Sequence, residues 1–97
     1  MLEHIVLLKF STETTPEQID ELICRTKRLK EWIPGIADIQ QGHNFSKRNQ
    51  GYQVGLTVRF ESGHALEQYG PHPKHQEVLA FAKDIGLVDS IIVDFEL

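Results

Sequence analysis

Cysteine is almost missing from this chain. Cys24 is the only one, so no disulfide can close within it, and a reducing, cytoplasmic setting is expected. No apolar run approaches the roughly 20 residues that a membrane-spanning helix needs. The opening Met1-Leu2-Glu3-His4 lacks the basic and apolar regions of a secretion signal. Positive charge is also scarce, with 10 Lys and Arg against 14 Asp and Glu, a net charge of −4. Nucleic-acid binders carry a basic stripe. The densest basic run here, Arg25 to Lys30, scatters around a helix, and Glu21 and Glu31 have i,i+4 spacing to pair with Arg25 and Lys27. It reads as a solvated face, so neither nucleic acid nor membrane is an expected partner. A glycine-rich nucleotide loop, a cysteine pair and a carboxylate cluster are all lacking, and no cofactor is expected. His72 and His75 have no evident third ligand beyond a possible approach of His4, so no side-chain metal site is expected either.

What remains is a compact set of element signals. The 97 residues suit one domain, residues 1–97. His4 to Phe10 reads as a strand apolar on both faces, with Val6, Leu8 and Phe10 on one and Ile5 and Leu7 on the other. Thr15, Pro16 and Gln18 form a capping box with proline in the first turn. The helix that follows places Ile19, Leu22, Ile23, Leu29 and Ile33 on one arc and ends at Pro34-Gly35. A weaker strand runs from Ile36 to about Phe45, and the polar segment Ser46 to Gly51 reads as a loop. Tyr52 to Phe60 is the clearest strand, alternating apolar with mostly polar residues. Ser62 can cap a short helix through Tyr69, which Gly70-Pro71 breaks. Pro73 then starts a second helix to about Ile85, with Gly86 as its stop. Ser90 to Leu97 alternates as a last strand.

The order is βαββαβ. It predicts an α+β, ferredoxin-like fold: a four-stranded antiparallel sheet with two helices on one face. The other face would carry Ile5 and Leu7 beside Gln53, Thr57 and Arg59. Such a face suits a second copy of the chain, and a homodimer is expected.

Several segments resemble the stress-responsive A/B barrel (Dabb) family. They are HIVLLKF at His4–Phe10, LKEWIPGI at Leu29–Ile36, Gly42-His43-Asn44-Phe45-Ser46, YQVGLTVRFES at Tyr52–Ser62, Tyr69-Gly70-Pro71-His72-Pro73-Lys74-His75, and Val93-Asp94-Phe95. The YxxHPxH string soon after Phe-Glu-Ser is the most specific. The resemblance implies a dimeric α+β barrel. It implies function less firmly, because the family spans plant stress-related proteins, polyketide cyclases and bacterial members without known activity. In the cyclases, the tyrosine and second histidine of this string act as donor and base, and they map onto Tyr69 and His75. Those cyclases carry a histidine where this chain has Val54 and an aromatic residue where it has Thr26, so a long-chain polyketide is not the expected substrate. Some members also hold a cation on backbone carbonyls, at positions matching Lys30, Ile33 and Ile36.

The residues support two roles for this region. His75 falls within the arc of Val78, Phe81, Ala82 and Ile85, about 60° from Val78. An inward imidazole near a helix N-terminus loses basicity, is neutral at neutral pH and can act as a base. Tyr69 shares an arc with Ala65 and Leu66, and its phenol can donate to an oxyanion. Equally, the two side chains can bond each other or the backbone as plain structure. His72 is either a cap or turn residue before Pro73 or part of the site. His4, in phase with Val6, would stand at the mouth of a pocket between sheet and helices. Val6, Leu8, Ile23, Val54 and Leu56 would line its walls, or be ordinary core. Two functions follow. One is a cofactor-free, cyclase- or lyase-like acid–base enzyme acting on a small apolar carbonyl or aromatic compound. The other is a non-catalytic stress or ligand-binding homodimer.

Overall fold

The computed structural model describes residues Met1–Leu97. Its elements are β1 (Leu2–Phe10), α1 (Pro16–Lys27), α2 (Leu29–Trp32), β2 (Ile36–His43), β3 (Tyr52–Phe60), α3 (Gly63–Tyr69), α4 (Pro73–Asp84) and β4 (Leu87–Glu96). The strands form one sheet in the order β2-β3-β1-β4, and every neighbouring pair is antiparallel. The fold is α+β and ferredoxin-like, with all the helices on one face.

Local chemistry explains most boundaries. The Thr15 side chain accepts from the Gln18 backbone N–H while the Gln18 side chain accepts from the Thr15 N–H, and Pro16 occupies the first turn. The expected single first helix is two segments. The Arg28 N–H bonds to the Thr26 carbonyl, and the Thr26 hydroxyl donates to the Ile23 carbonyl at 2.8 Å. Such back-bonding within a turn bends a helix. β2 ends at His43 rather than Phe45. The Asn44 amide reaches the Tyr52 carbonyl and the Asn44 side-chain oxygen accepts from the Ser46 N–H, which turns the chain away and leaves Phe45 97% exposed. β4 starts at Leu87, three residues before the expected Ser90. Gly86, at φ +113°, reverses the chain directly after α4, and Leu87 already pairs with Phe10.

The inner sheet face and the helices bury two apolar clusters. One contains Leu2, Val6, Leu29, Ile33, Ile36, Leu56, Val58, Phe60, Ala65 and Tyr69. The other contains Phe10, Ile19, Leu22, Val54, Ala82 and Ile85. Leu8 and Val78 touch both. Gly35, at φ +89°, lets β2 begin hard against α3, since a Cβ there would lie 2.5 Å from the Ala65 Cβ. That close approach fixes α3 and so the position of Tyr69. The outer face carries Ile5 and Leu7 with Thr57 and Gly55 opposite them, as the alternation implied. On β4, Ile91, Val93 and Phe95 lie on the same face and are 42%, 46% and 46% exposed.

Phe60 is fully buried and Phe45 almost fully exposed. Phe60→Ala is therefore expected to cost about 3–5 kcal/mol in urea melts, whereas Phe45→Ala leaves the protomer's packing untouched. Equal losses would contradict this core.

Candidate functional site

Between the two clusters lies a cavity of about 410 Å³. His4, Val6 and Leu8 of β1 and Leu56 of β3 form its floor. Thr26 and Leu29 close one side, Tyr69, Gly70 and His75 another, and Ser90 and Ile92 of β4 reach its open edge. No Lys, Arg, Asp or Glu lines it. A ligand would be held by apolar contact and oriented by a few polar groups.

Those polar groups are placed by the break between α3 and α4. The Ser62 side chain accepts from the Ala65 N–H and caps α3. Tyr69 at its end is 3% exposed and packs edge-on against Phe60, with ring centroids 5.0 Å apart. Gly70 and Pro71 interrupt the helix. His72 restarts it by accepting the Lys74 N–H at its Nδ1, with Pro73 in the first turn. One turn on, the His75 ring lies 4.3 Å from the Tyr69 ring, centroid to centroid. His75 Nδ1 donates to the Gly70 carbonyl at 2.9 Å. In the neutral ring the lone pair therefore sits on Nε2.

Burial drives the His75 pKa below the ordinary histidine value. The Gly70 hydrogen bond opposes this, and the neighbouring His4 and His72 charges reinforce it. Burial alone pushes the Tyr69 phenol up to about 12, so at neutral pH it is a protonated donor. His4 packs edge-on to Tyr69, 5.9 Å between centroids. Its Nδ1 bonds Asp94 Oδ1 at 2.5 Å, which leaves Nε2 as the nitrogen without a protein partner. The cavity thus joins an unbonded phenol to two imidazoles, each held through Nδ1.

Of the residues expected from the sequence, His4, Val6, Leu8, Leu56, Tyr69 and His75 come together around this space. Three do not. Val54 is 2% exposed inside the second core cluster, and Ile23 packs against that same cluster. Neither lines the cavity, although Val54 pairs with Leu8 and Ile23 follows Leu22, both of which do. His72 is spent on capping α4. Asp94 was not anticipated. Its signal was present, since it shares the phase of Ile92 on the last strand and is directly opposite His4. Thr26 likewise lines the wall. A wider open groove of about 780 Å³ between α4 and the end of α1 with α2 shares Leu29 and Val78 with the cavity, but none of His4, Tyr69 or His75 reaches it.

The His75 shift carries a stability consequence. The unfolded ring takes up a proton near pH 6.5, whereas the native ring does so only at lower pH. Unfolding then binds the extra proton, so stability falls as pH drops below about 6.5 toward the native value. His75→Gln is expected to flatten this loss in denaturant melts taken between neutral and mildly acidic pH. An unchanged slope would contradict the buried, neutral ring.

The sequence matches the Stress responsive A/B Barrel Domain (Dabb) over residues 2–97. Olivetolic acid cyclase of Cannabis sativa is 32% identical over 76 residues, 76% of this chain and 75% of that protein. The stress-response A/B barrel domain-containing protein HS1 of Arabidopsis thaliana is 31% identical over 94 residues, 95% of this chain and 84% of that protein. The crystal structure of a dimeric ferredoxin-like protein of unknown function from Jannaschia sp. CCS1 superposes with a TM-score of 0.82 at 25% identity, over 99% of this chain and 98% of that one. The chain belongs to the stress-responsive A/B barrel domain family.

Proposed function

We propose that this protein is a homodimer whose cavity binds a small, mostly apolar carbonyl compound and moves a proton next to the carbonyl. The observation that carries this reading is the Tyr69–His75 pair. The rings are 4.3 Å apart on the wall of an apolar cavity, with the phenol unbonded and the imidazole lone pair on Nε2.

In the proposed step, His75 Nε2 removes a proton from the carbon beside the carbonyl. The electron pair of that C–H bond moves onto the carbonyl oxygen, where the Tyr69 hydroxyl donates to the developing charge. The enolate carbon can then attack a second carbonyl in the same molecule, closing a ring by an aldol-type bond. The His75 imidazolium returns its proton to the new alkoxide, so the enzyme ends as it began. His4, held by Asp94 across the cavity, is positioned to orient the second oxygen. A relative named as a cyclase supports this class of chemistry. Thr26 in the wall and the modest cavity volume favour a compact substrate. The free, exposed Cys24 thiol supports a reducing compartment, and a cytoplasmic setting belongs to the same proposal.

The dimer half rests on the outer sheet face, where Ile5, Leu7, Ile91, Val93 and Phe95 have no cover of their own. A second functional reading has one observation behind it. The Gly70 carbonyl accepts from both His75 and Gln76, so the motif also serves as a joint between two helices. On that reading the protein binds its ligand without transforming it.

Two measurements test the proposal. Light scattering after size exclusion should give twice the 11.1 kDa chain mass, and a single-chain mass would reject the dimer. With a diketone or ketoaldehyde that the protein turns over, Tyr69→Phe is expected to lower kcat by about 10²–10³-fold, the loss typical of an oxyanion donor. His75→Ala should lower it further and remove the acid limb of the pH profile. Ligand binding with no turnover in the unsubstituted protein would favour the binding reading.

A further inference from the structure

The cavity and the open groove are separate spaces with a shared wall. Along α1 and α2, Leu22, Thr26 and Leu29 lie one helical turn apart and face the cavity. Arg25, Arg28 and Trp32 follow the same spacing on the adjoining stripe and face the groove, together with Leu29. α4 repeats the arrangement. His75, Val78 and Ala82 face the cavity, whereas Lys74, Glu77 and Phe81 face the groove, again together with Val78. On each side a single residue, Leu29 or Val78, belongs to both stripes.

The wall is therefore one side chain thick. Leu29 is 2% exposed and anchored in the first core cluster, and Val78 packs against both clusters. Cation–π contacts span the seam on either side of them. Lys74 Nζ lies 4.6 Å from the centre of the Trp32 ring, and the Arg25 guanidinium lies 3.7 Å from that of Phe81. These contacts set the width of the seam at both ends, and Leu29 and Val78 fill the middle. The two spaces differ in character. The cavity of about 410 Å³ has no charged lining, whereas the groove of about 780 Å³ carries three cationic and three carboxylate side chains.

Val78 also stands beside the reacting position. It follows His75 by three residues, which puts their Cβ atoms about 5–6 Å apart on one face of α4. A carbon that gives its proton to His75 Nε2 lies about 3–3.5 Å from that nitrogen. A group on that carbon points either to the sheet or to the shared wall. On the sheet side it meets Val6 and Leu8, whose strand recedes only by breaking its pairing with β3 and β4. On the other side it meets Val78.

We propose that Val78, backed by Leu29, is a specificity-determining residue. It selects carbonyl compounds whose reacting carbon bears a small group over those whose reacting carbon bears a longer chain, and it keeps such chains out of the groove. This inference rests on the carbonyl-binding reading above and narrows the substrate class that the cavity takes. Shape makes the selection, without any polar contact.

The test reads binding, so it does not depend on turnover. Diethyl, dipropyl and dibutyl ketone place a methyl, an ethyl and a propyl group on the carbon beside the carbonyl. Each is titrated into the nitrogen-15-labelled protein. The Gly70 N–H signal reports the cavity. The indole N–H of Trp32, the only tryptophan, reports the far side of the wall. In the unsubstituted protein the ketones should move the Gly70 signal and leave Trp32 unmoved. Val78→Ala removes two methyl groups from the wall. It is expected to raise the affinity for dibutyl ketone relative to diethyl ketone by about tenfold, and to let dibutyl ketone move the Trp32 signal. Val78→Ile thickens the wall and should change the ratio in the opposite direction, which keeps the test decisive if the alanine variant folds poorly. An affinity ratio unchanged in both variants would overturn the proposal. So would a Trp32 signal that dibutyl ketone moves equally with and without the valine. If no ketone moves the Gly70 signal of the unsubstituted protein, the carbonyl-binding reading fails and this inference falls with it. A moved Gly70 signal with an unchanged ratio removes this inference alone.

Discussion

One hydrogen bond, from His75 Nδ1 to the Gly70 carbonyl, organises the candidate site. It forms only because Gly70 and Pro71 end α3 and leave the Gly70 carbonyl without its helical N–H partner. That carbonyl takes the proton-bearing side of the imidazole, which commits Nε2 to the lone pair. The ring stays within 4.3 Å of Tyr69. A helix continuous through this region would satisfy the carbonyl with its own backbone and leave His75 free to swing. The break is thus what converts two ordinary side chains into an oriented pair.

The cavity works with that pair because its other contents are so plain. Apolar walls favour the neutral imidazole and the protonated phenol at the same time, through the same loss of water. His4 differs, since a carboxylate rather than a carbonyl holds its Nδ1. The sheet supplies this contrast, with His4 and Asp94 facing each other across the β1–β4 ladder. The two histidines therefore come from opposite layers of the fold, and the space between them is set by the packing of α3 on the sheet. Gly35 and Phe60 maintain that packing, the first by allowing close approach and the second by filling the layer under Tyr69.

Much of this was legible along the chain. The periodicities around Tyr52–Phe60 and the capping signals at Thr15, Ser62 and Pro73 are strong local codes, and those boundaries agree with the structure. Boundaries failed where side-chain hydrogen bonds diverted the backbone. Asn44 ended β2 early, and the turn at Thr26 and Arg28 split the first helix. Phase alone placed His4, Val6, Leu8 and Leu56 on one face, but it does not say which residues of that face the helices cover completely. Val54 shares that face and sits in core instead. Asp94 escaped notice because its importance lies in a partner 90 residues away, and only the sheet register brings them together.

The state of the His75 ring is the point on which the account turns. Nitrogen-15 spectra of the labelled protein, followed through a pH titration and assigned with His75→Gln, would report it directly. The expected result is a protonated Nδ1, an unprotonated Nε2, and proton uptake only below the ordinary histidine value of about 6.5. An Nε2-protonated ring, or one that titrates at or above that value, would contradict it.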